Sequence, residues 1–584
     1  MARCSAGSAR SRASKHSYLS TGSRAHHESR SRTADTRAEG EPMANRLVSV
    51  DESNLFPPTV MEALDGRYGA YMPAGSNGVV GDGTTDDSTA LNSLLTVAAA
   101  AGLPVRLDPK STVLVAANPI MVPTGTRLYL NGARIKSALP NTGSRLVIVQ
   151  NATNVIIDGE GGSIDGNKAA FTPATEQRHN VHIVGATNVT VRDLLTFNAK
   201  GDGIYVGDQT NGAARDVYLE NVVSDQNWRQ GLSISHVSGF TATHCDFTNT
   251  AGTDPQAGVD IEPNVGNVVC ENIRFFGCTM KGNAHFGFLV AIQTNPTVKQ
   301  GDILLCGCDI VGNGAAGDGA GGGIRLIGVT DFTMLGGSVR GNTGPGVVMN
   351  GTAAMANVNL DDVAIELNTQ HGISVAVAVA ALSIVSCAIR SNSQQGSGLY
   401  DGINMTPSAA MASPKVQGNS VTGSHRYAIT TGANVSGLQL IGNDYSGFVT
   451  GATNLLDSIS TRVEVDSNSI SFGPRAFFYG ASGSTSPVVS VRQDGDSSDR
   501  VNILADGRVT LGSGAASSDV VLQRSSAGVW GMTTGNAFRV PSFTTATRPA
   551  ASSIPAGGSI YDSTLGKPIW STGSQWRDAA GTVV

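Results

Sequence analysis

Charge and aromatic rings are scarce in this chain. Only 15% of its 584 residues are charged and 5% are aromatic. The net charge is −6, with no basic stripe along the body, which argues against nucleic acid as a partner. No apolar run reaches the ~18 residues that a membrane span needs. There is no CxxC pair, no HExxH, no phosphate-binding loop and no Ser-His-Asp pattern, so the usual zinc, metalloprotease, nucleotide and serine-hydrolase chemistries lack their residues. The seven cysteines are an odd number, and no disulfide is needed to account for them. Cys278, Cys308 and Cys387 each lie five residues before a recurring Asn and Cys245 lies four before one, which predicts a stack of small buried thiols.

Glycine is plentiful, at 72 residues, and it recurs in a pattern. Asn198, Asn227, Asn249, Asn283, Asn313, Asn342, Asn368 and Asn392 each precede a short turn and a Gly that opens an apolar segment. Those glycines are Gly203, Gly231, Gly258, Gly287, Gly323, Gly346, Gly372 and Gly402, spaced 23 to 36 residues apart. A variable period of this size with short β segments predicts a parallel β-solenoid. After each Gly the first and third residues are apolar, as in Gly258-Val-Asp-Ile, so they point inward while the second and fourth point outward. The Asn residues fit an internal ladder with one rung per coil, about 4.8 Å apart. Three of the Asn-to-Gly turns, after 249, 313 and 392, are long and leave one corner, where they would wall a groove.

Ahead of the repeat, Thr85, Asp86 and Asp87 offer caps for a helix whose stripe is Leu91, Leu94, Leu95 and Ala98, with Gly102 to end it. Such a helix would cover the open end of a solenoid. The run GVVGDGTTDDSTALNSLL, then VRLDP and GTRLYLNGARI, resembles the opening of the pectate-lyase-like right-handed β-helix proteins, among them rhamnogalacturonase- and epimerase-like enzymes and phage tailspikes. The Gly-Asp-Gly-x-x-Asp-Asp core at 81–87 carries the match. The resemblance implies an all-β chain: a right-handed parallel β-helix with an N-terminal capping helix and a C-terminal β-rich module.

The expected organisation runs as follows. Residues 1–42, rich in Ser, Arg and Ala, read as a disordered or mis-annotated leader with a true start at Met43. Residues 43–75 form an N-terminal adaptor segment, 76–135 the capping helix and first coils, and 136–455 the β-helix. Residues 456–540 form a β-rich stem or trimerisation region with hairpins at Asp506–Gly514 and Ser526–Val540. Residues 541–584 resemble a tail-tip module of phage and prophage tail proteins, with two of the four Trp residues.

For chemistry, Asp260 and Glu262 stand two apart on one strand, with Cα atoms roughly 6.6 Å apart on its outer face. Aligned on Gly, Tyr205 and Ser233 precede Asp260 in one outward column. His236 falls beside Pro263, and Asp202, Trp228, Arg229, Asp254 and His285 share the adjoining corner. Asp260, Glu262, Arg229, His236 and Tyr205 are the catalytic candidates. Asp202, Trp228, Asp254 and His285 are the substrate-binding ones. A hydrolase would use the paired carboxylates as acid and base. A lyase would abstract a proton with Arg229, Tyr205 or His236, and Asp260, Glu262 and Asp254 would then hold a Ca²⁺. A hydrolase needs no cofactor. A third reading is saccharide binding without turnover, and a fourth is that the carboxylates only cap turns or pair with Arg229. The Asn-Thr-Asp, Asp-Asp and Gly-His-Gly set of polygalacturonases is absent. His179 and His182, with Glu176 and Arg178 nearby, would either line the upper end of the groove or, as such residues more often do, stand as solvated loop positions.

The tailspike resemblance implies a host-surface polysaccharide and phage tail or baseplate proteins as partners, a homotrimer, and a place in the virion tail. A secreted bacterial enzyme is the alternative.

Overall fold

The computed structural model describes residues 71–455, apart from 141–144, 172–176, 293–295 and 318, together with most of 487–584. The expected leader, nearly all of the 43–75 segment, Glu176 and residues 456–486 of the expected stem lie outside the described residues. The chain falls into two compact units, 1–465 and 466–584.

In the first unit each coil contributes one short strand to each of three sheets. One coil reads Cys270–Phe276, then Thr279–Lys281, then Phe286–Ala291. Coil upon coil, these build two 14-stranded sheets and a 13-stranded one. Neighbouring strands run parallel and in register, as in Val259↔Phe288, Asp260↔Leu289 and Ile261↔Val290. The protein is therefore a parallel β-helix. Inward residues of all three sheets merge into one continuous core of Ile, Leu, Val and Phe. Along its middle, Phe240, Phe275, Phe288 and Phe332 meet in sequence, with ring centroids 5.4–6.3 Å apart.

The helix α1 (Ser88–Ala101) buries Leu91, Leu94, Leu95 and Ala98, the stripe expected from its spacing, and Gly102 ends it at φ 69°. Its start is built differently from the expected cap. Asp87 points backward, its carboxylate accepting the Val80 and Gly81 N–H groups at 2.6 and 3.0 Å. Asp86 accepts the Ser88 N–H at 3.1 Å and the Ala116 N–H at 2.9 Å, which ties the helix to the next coil. The acidic motif is thus a set of stitches between the helix and the first coils.

The internal ladder is present from Asn283 onward. Each Asn amide donates to the carbonyl oxygen of the next Asn side chain: Asn283 to Asn313 at 2.8 Å, Asn313 to Asn342 at 2.9 Å, Asn342 to Asn368 at 2.9 Å, and Asn368 to Asn392 at 2.8 Å. His425 closes the series, its Nε2 accepting the Asn392 N–H at 3.2 Å. Asn198 and Asn249 do not belong to it. Each sits one residue early at positive φ, and the ladder position holds Ala199 and Thr250, whose N–H groups donate to Asn227 and Asn283. The same offset explains the cysteine spacing. Cys245, Cys278, Cys308 and Cys387 each directly precede a second-sheet strand, and all four are free and buried.

The glycine is required because the ladder side chain lies against it. A Cβ on Gly258 would fall 2.7 Å from both the Asn283 Nδ2 and the Gly287 carbonyl, and a Cβ on Gly372 would fall 2.9 Å from the Asn392 Nδ2. Asn and Gly therefore recur as one steric unit.

In the second unit, Asp506 and Gly507 form the turn between Val501–Leu504 and Val509–Leu511, and Val520–Ser526 pairs antiparallel with Val529–Met532. The terminal strands Ser559–Asp562, Lys567–Ser571 and Trp576–Asp578 form an antiparallel sheet. Trp576 is buried there, its Nε1–H donating to the Pro549 carbonyl at 2.9 Å, while Trp570 is on the surface.

Candidate functional site

The third sheet carries the candidate residues. Its register sets His182, Tyr205, Ser233, Asp260 and Leu289 in one outward column, on strands Val181–Val184, Ile204–Val206, Leu232–Ile234, Val259–Ile261 and Phe286–Ala291. The column read from the Gly alignment is thus in place, and it extends one coil further back than expected. Asn180 stands where later coils have Gly, so that alignment missed the coil. The backbone shows the equivalence: Val181 N–H donates to Gly203 O as Ile204 N–H donates to Gly231 O.

Asp260 lies on the outer face of Val259–Ile261 and Glu262 directly follows that strand, and their surroundings differ. Asp260 is 2% exposed and Glu262 is half-buried. Gln230 reaches across to donate to Asp260 Oδ2 at 2.8 Å, while its own carbonyl accepts the Ala257 N–H at 3.0 Å. The other oxygen, Asp260 Oδ1, is buried without a hydrogen-bond partner. Burial, reinforced by the Glu262 charge and opposed by Arg229, pushes the Asp260 carboxyl well above the usual range, which favours its protonated form.

Beside this pair Asp202 is fully buried and held from several sides. It accepts from Ser233 Oγ at 2.8 Å and from an Arg229 terminal nitrogen at 3.2 Å. Its N–H donates to His179 Nδ1 at 3.2 Å. That bond requires an unprotonated Nδ1, and burial holds the His179 pKa well below its ordinary value. The 3.3 Å approach of His179 Nδ1 to Asp202 Oδ2 is therefore not an ion pair. His179 stacks on Tyr205 at 4.6 Å, and its buried Nε2 has no hydrogen-bond partner. Tyr205 shares a 2.9 Å hydrogen bond with Ser235, which in turn donates to Gly207 O, and burial raises the phenol pKa. His182 is buried as well, and burial followed by Arg145 lowers it to about 4. The solvated-loop reading of His179 and His182 is thus overturned. Both rings are buried against Tyr205 on the next coil.

The remaining candidates spread out. His236 Nδ1 contacts Asp208 O at 2.7 Å, an arrangement that fixes the proton on Nδ1 and leaves Nε2 as an acceptor. Trp228 packs under Gly252 and receives the Lys200 ammonium at 3.9 Å from its ring centroid. Asp254 pairs with His285 at 3.1 Å and accepts from Gln256 at 3.0 Å, away from the Asp260–Glu262 pair. Among the described residues no group of three His, Cys, Asp or Glu side chains gathers to hold a metal ion. Gln230 had no signal of its own in the sequence. Gln230 becomes legible only once its coil is paired with the next.

Beyond Asp260 the outward column continues with Leu289, Arg325 and Val348. Leu289, Ala291, Phe286 and Val348, with Ala257 from the long turn, form a small second core on the outer surface. The long turn after Asn249 thus partly covers the sheet just where the acidic pair stands.

Comparison with known proteins gives fold-level likeness. No family model matches the chain, and no curated protein matches it. Among solved structures, the A-module of the mannuronan C-5 epimerase AlgE4 from Azotobacter vinelandii is 17% identical, at a TM-score of 0.48, over 67% of this chain and 100% of that one. The pre-mature gene product 12 of bacteriophage phi29 is 15% identical, at a TM-score of 0.46, over 70% of this chain and 57% of that one. PfbA, a surface adhesin of Streptococcus pneumoniae, is 13% identical, at a TM-score of 0.39, over 67% of this chain and 93% of that one. By its own three parallel sheets and the helix at their start, this chain has a parallel β-helix fold.

Proposed function

We propose that this protein binds a host-surface polysaccharide along the outer face of the third sheet and cleaves it between Asp260 and Glu262. The observation that carries this reading is the unequal pair. Two carboxyls stand two residues apart, Asp260 on the strand Val259–Ile261 and Glu262 just past its end, one buried with an unpartnered oxygen and the other half-buried. Burial keeps a proton on Asp260, as a general acid needs, and Glu262 is placed to act as base or nucleophile. Asp202, Arg229, Ser233 and His179 fix the strand corner beside the pair, and Tyr205 offers a hydroxyl to the sugar. The setting we propose is a phage or prophage tail, with the chain as a homotrimer docked to other tail proteins. Surface Tyr561 and Trp570 on the terminal module would supply a flat aromatic contact.

The test is a depolymerase assay of the full chain against capsule, O-antigen and uronate polysaccharides, with and without EDTA. Mass spectrometry reads chain length, and the ultraviolet absorbance of unsaturated uronates separates elimination from hydrolysis. Asp260→Asn and Glu262→Gln should each lower the rate by on the order of 10²–10⁴. Activity of the wild type should fall as pH rises through the raised Asp260 pKa. Shortened chains from the double variant at the wild-type rate would remove the pair from the mechanism. Retention of a glycan by the wild type without shortening would leave a binding protein.

A further inference from the structure

The arrangement around Asp202 occurs a second time. Asp401 precedes Gly402 as Asp202 precedes Gly203, and each Gly opens a third-sheet strand, Ile403–Met405 and Ile204–Val206. Asp401 is fully buried, and its N–H donates to His371 Nδ1 on the preceding coil at 2.9 Å, matching the 3.2 Å bond to His179. Arg426 on the following coil grips both carboxylate oxygens at 2.9 and 2.7 Å, where Arg229 grips Asp202. The two arginines are equivalent in the backbone as well. Arg426 N–H donates to Tyr400 O and Arg229 N–H to Gly201 O, in each case the residue before the Asp. Asn404 Nδ2 adds a 2.9 Å bond to Asp401, in the role of Ser233. The two clusters lie seven strands apart along the same sheet edge, about 34 Å at the usual strand spacing.

The differences between the clusters are informative. In the first, the next two places in the outward column are Ser233 and Asp260. In the second they are Thr430 and Asn454, so the acid is missing from the register. The second cluster is also more open. Arg426 has 40% of its side chain exposed against 14% for Arg229, and only two of its nitrogens are taken by Asp401. Tyr400 stands edge-on to His371 at 5.0 Å, and the buried Thr430 Oγ1 has no hydrogen-bond partner. A guanidinium with spare donors, an aromatic ring and an unpaired hydroxyl suit an acidic sugar, and the outward column holds no carboxylate that could join Asp401 as an acid–base pair.

We propose that His371, Tyr400, Asp401, Asn404 and Arg426 form a second saccharide station, which holds an acidic polysaccharide downstream of the Asp260–Glu262 pair without cleaving it. This rests on the reading above that the third sheet tracks a polysaccharide. One chain seated at both stations gains affinity through effective concentration, by up to 10²–10⁴ in favourable geometry.

The test uses the full chain carrying Asp260→Asn and Glu262→Gln, so that polymer stays intact. The probes are size-fractionated polygalacturonate and uronate-bearing capsule polysaccharides, with affinity read against chain length. Affinity should step up at least tenfold once chains exceed about 24 Å, the five strand spacings from Val259–Ile261 to Ile403–Met405. The step should vanish when Tyr400→Ala and Arg426→Lys are added. Tyr400→Ala alone, which leaves the Arg426–Asp401 pair intact, should shrink the step and guards against misfolding in the combined variant. A length step that survives both changes, or binding with no step at all, would overturn the second station and leave the first reading standing. If the Asp260→Asn, Glu262→Gln chain retains no probe, both readings fall.

Discussion

Replacing Asn313 by Ala tests whether the internal ladder holds the coils together. The Asn313 side chain is wholly buried and serves several groups at once. Its oxygen accepts the Asn283 N–H at 3.1 Å and the Asn283 Nδ2 at 2.8 Å, and its nitrogen donates to Met280 O at 3.0 Å and Asn342 Oδ1 at 2.9 Å. Removal does not strand all of them. Asn283 Nδ2 keeps Phe247 O at 3.1 Å, and Asn342 Oδ1 keeps the Asn313 N–H at 2.9 Å. The Asn283 N–H loses its partner and stays buried, while the Met280 carbonyl keeps its place in the ladder between Thr279–Lys281 and Asp309–Val311. At about 1–3 kcal/mol for an orphaned group, the cost is about 1–3 kcal/mol. Asn249→Ala is the control. That residue is exposed, and its amide bonds only the Asp225 carboxylate at 2.8 Å, so its loss should stay below about 1 kcal/mol. Native-state hydrogen exchange by mass spectrometry resolves the local effect, because coils open in local units. Peptides spanning the coils around 283 and 313 should exchange about 5-fold faster or more in Asn313→Ala. In Asn249→Ala the same peptides should barely change. Equal acceleration in the two variants, or none in Asn313→Ala, would refute the account of the ladder.

Two further outcomes follow from the same geometry. Burial lowers His182 and His425 from 6.5 to about 4, so the unfolded chain takes up these protons before the folded one does. Stability should therefore fall as pH drops from 6.5 toward 4, read as a declining thermal midpoint, and His425→Asn should flatten the decline; a midpoint constant across that window would count against it. Gly258→Ala should cost on the order of 1–3 kcal/mol or more, because its Cβ would meet the Gly287 carbonyl at 2.7 Å. Gly307→Ala has open space at φ 62°, so it should cost only about 1 kcal/mol of backbone strain, and chemical denaturation midpoints compare the two.

The sequence by itself determined the solenoid, the capping helix and the outward column of Tyr205, Ser233 and Asp260. Each follows from a local period: two residues along a strand, 3.6 along a helix, and one Gly per coil where the ladder side chain leaves no room for a Cβ. The places where the pattern misled were single-residue offsets. Asn198 and Asn249 look like ladder residues, yet left-handed backbone at each hands the position to Ala199 and Thr250. Asn180 in the place of Gly hid the coil that carries His179 and His182. Only the tertiary structure decided which polar side chains are covered. The long turn after Asn249 and the amide of Gln230 bury Asp260 and leave Glu262 half-buried. The two His-Asp-Arg clusters likewise draw on three coils each, with members 23 to 30 residues apart in the chain. Burial and cross-coil bonding depend on residues a full coil away, and a one-dimensional period does not encode which of them will meet.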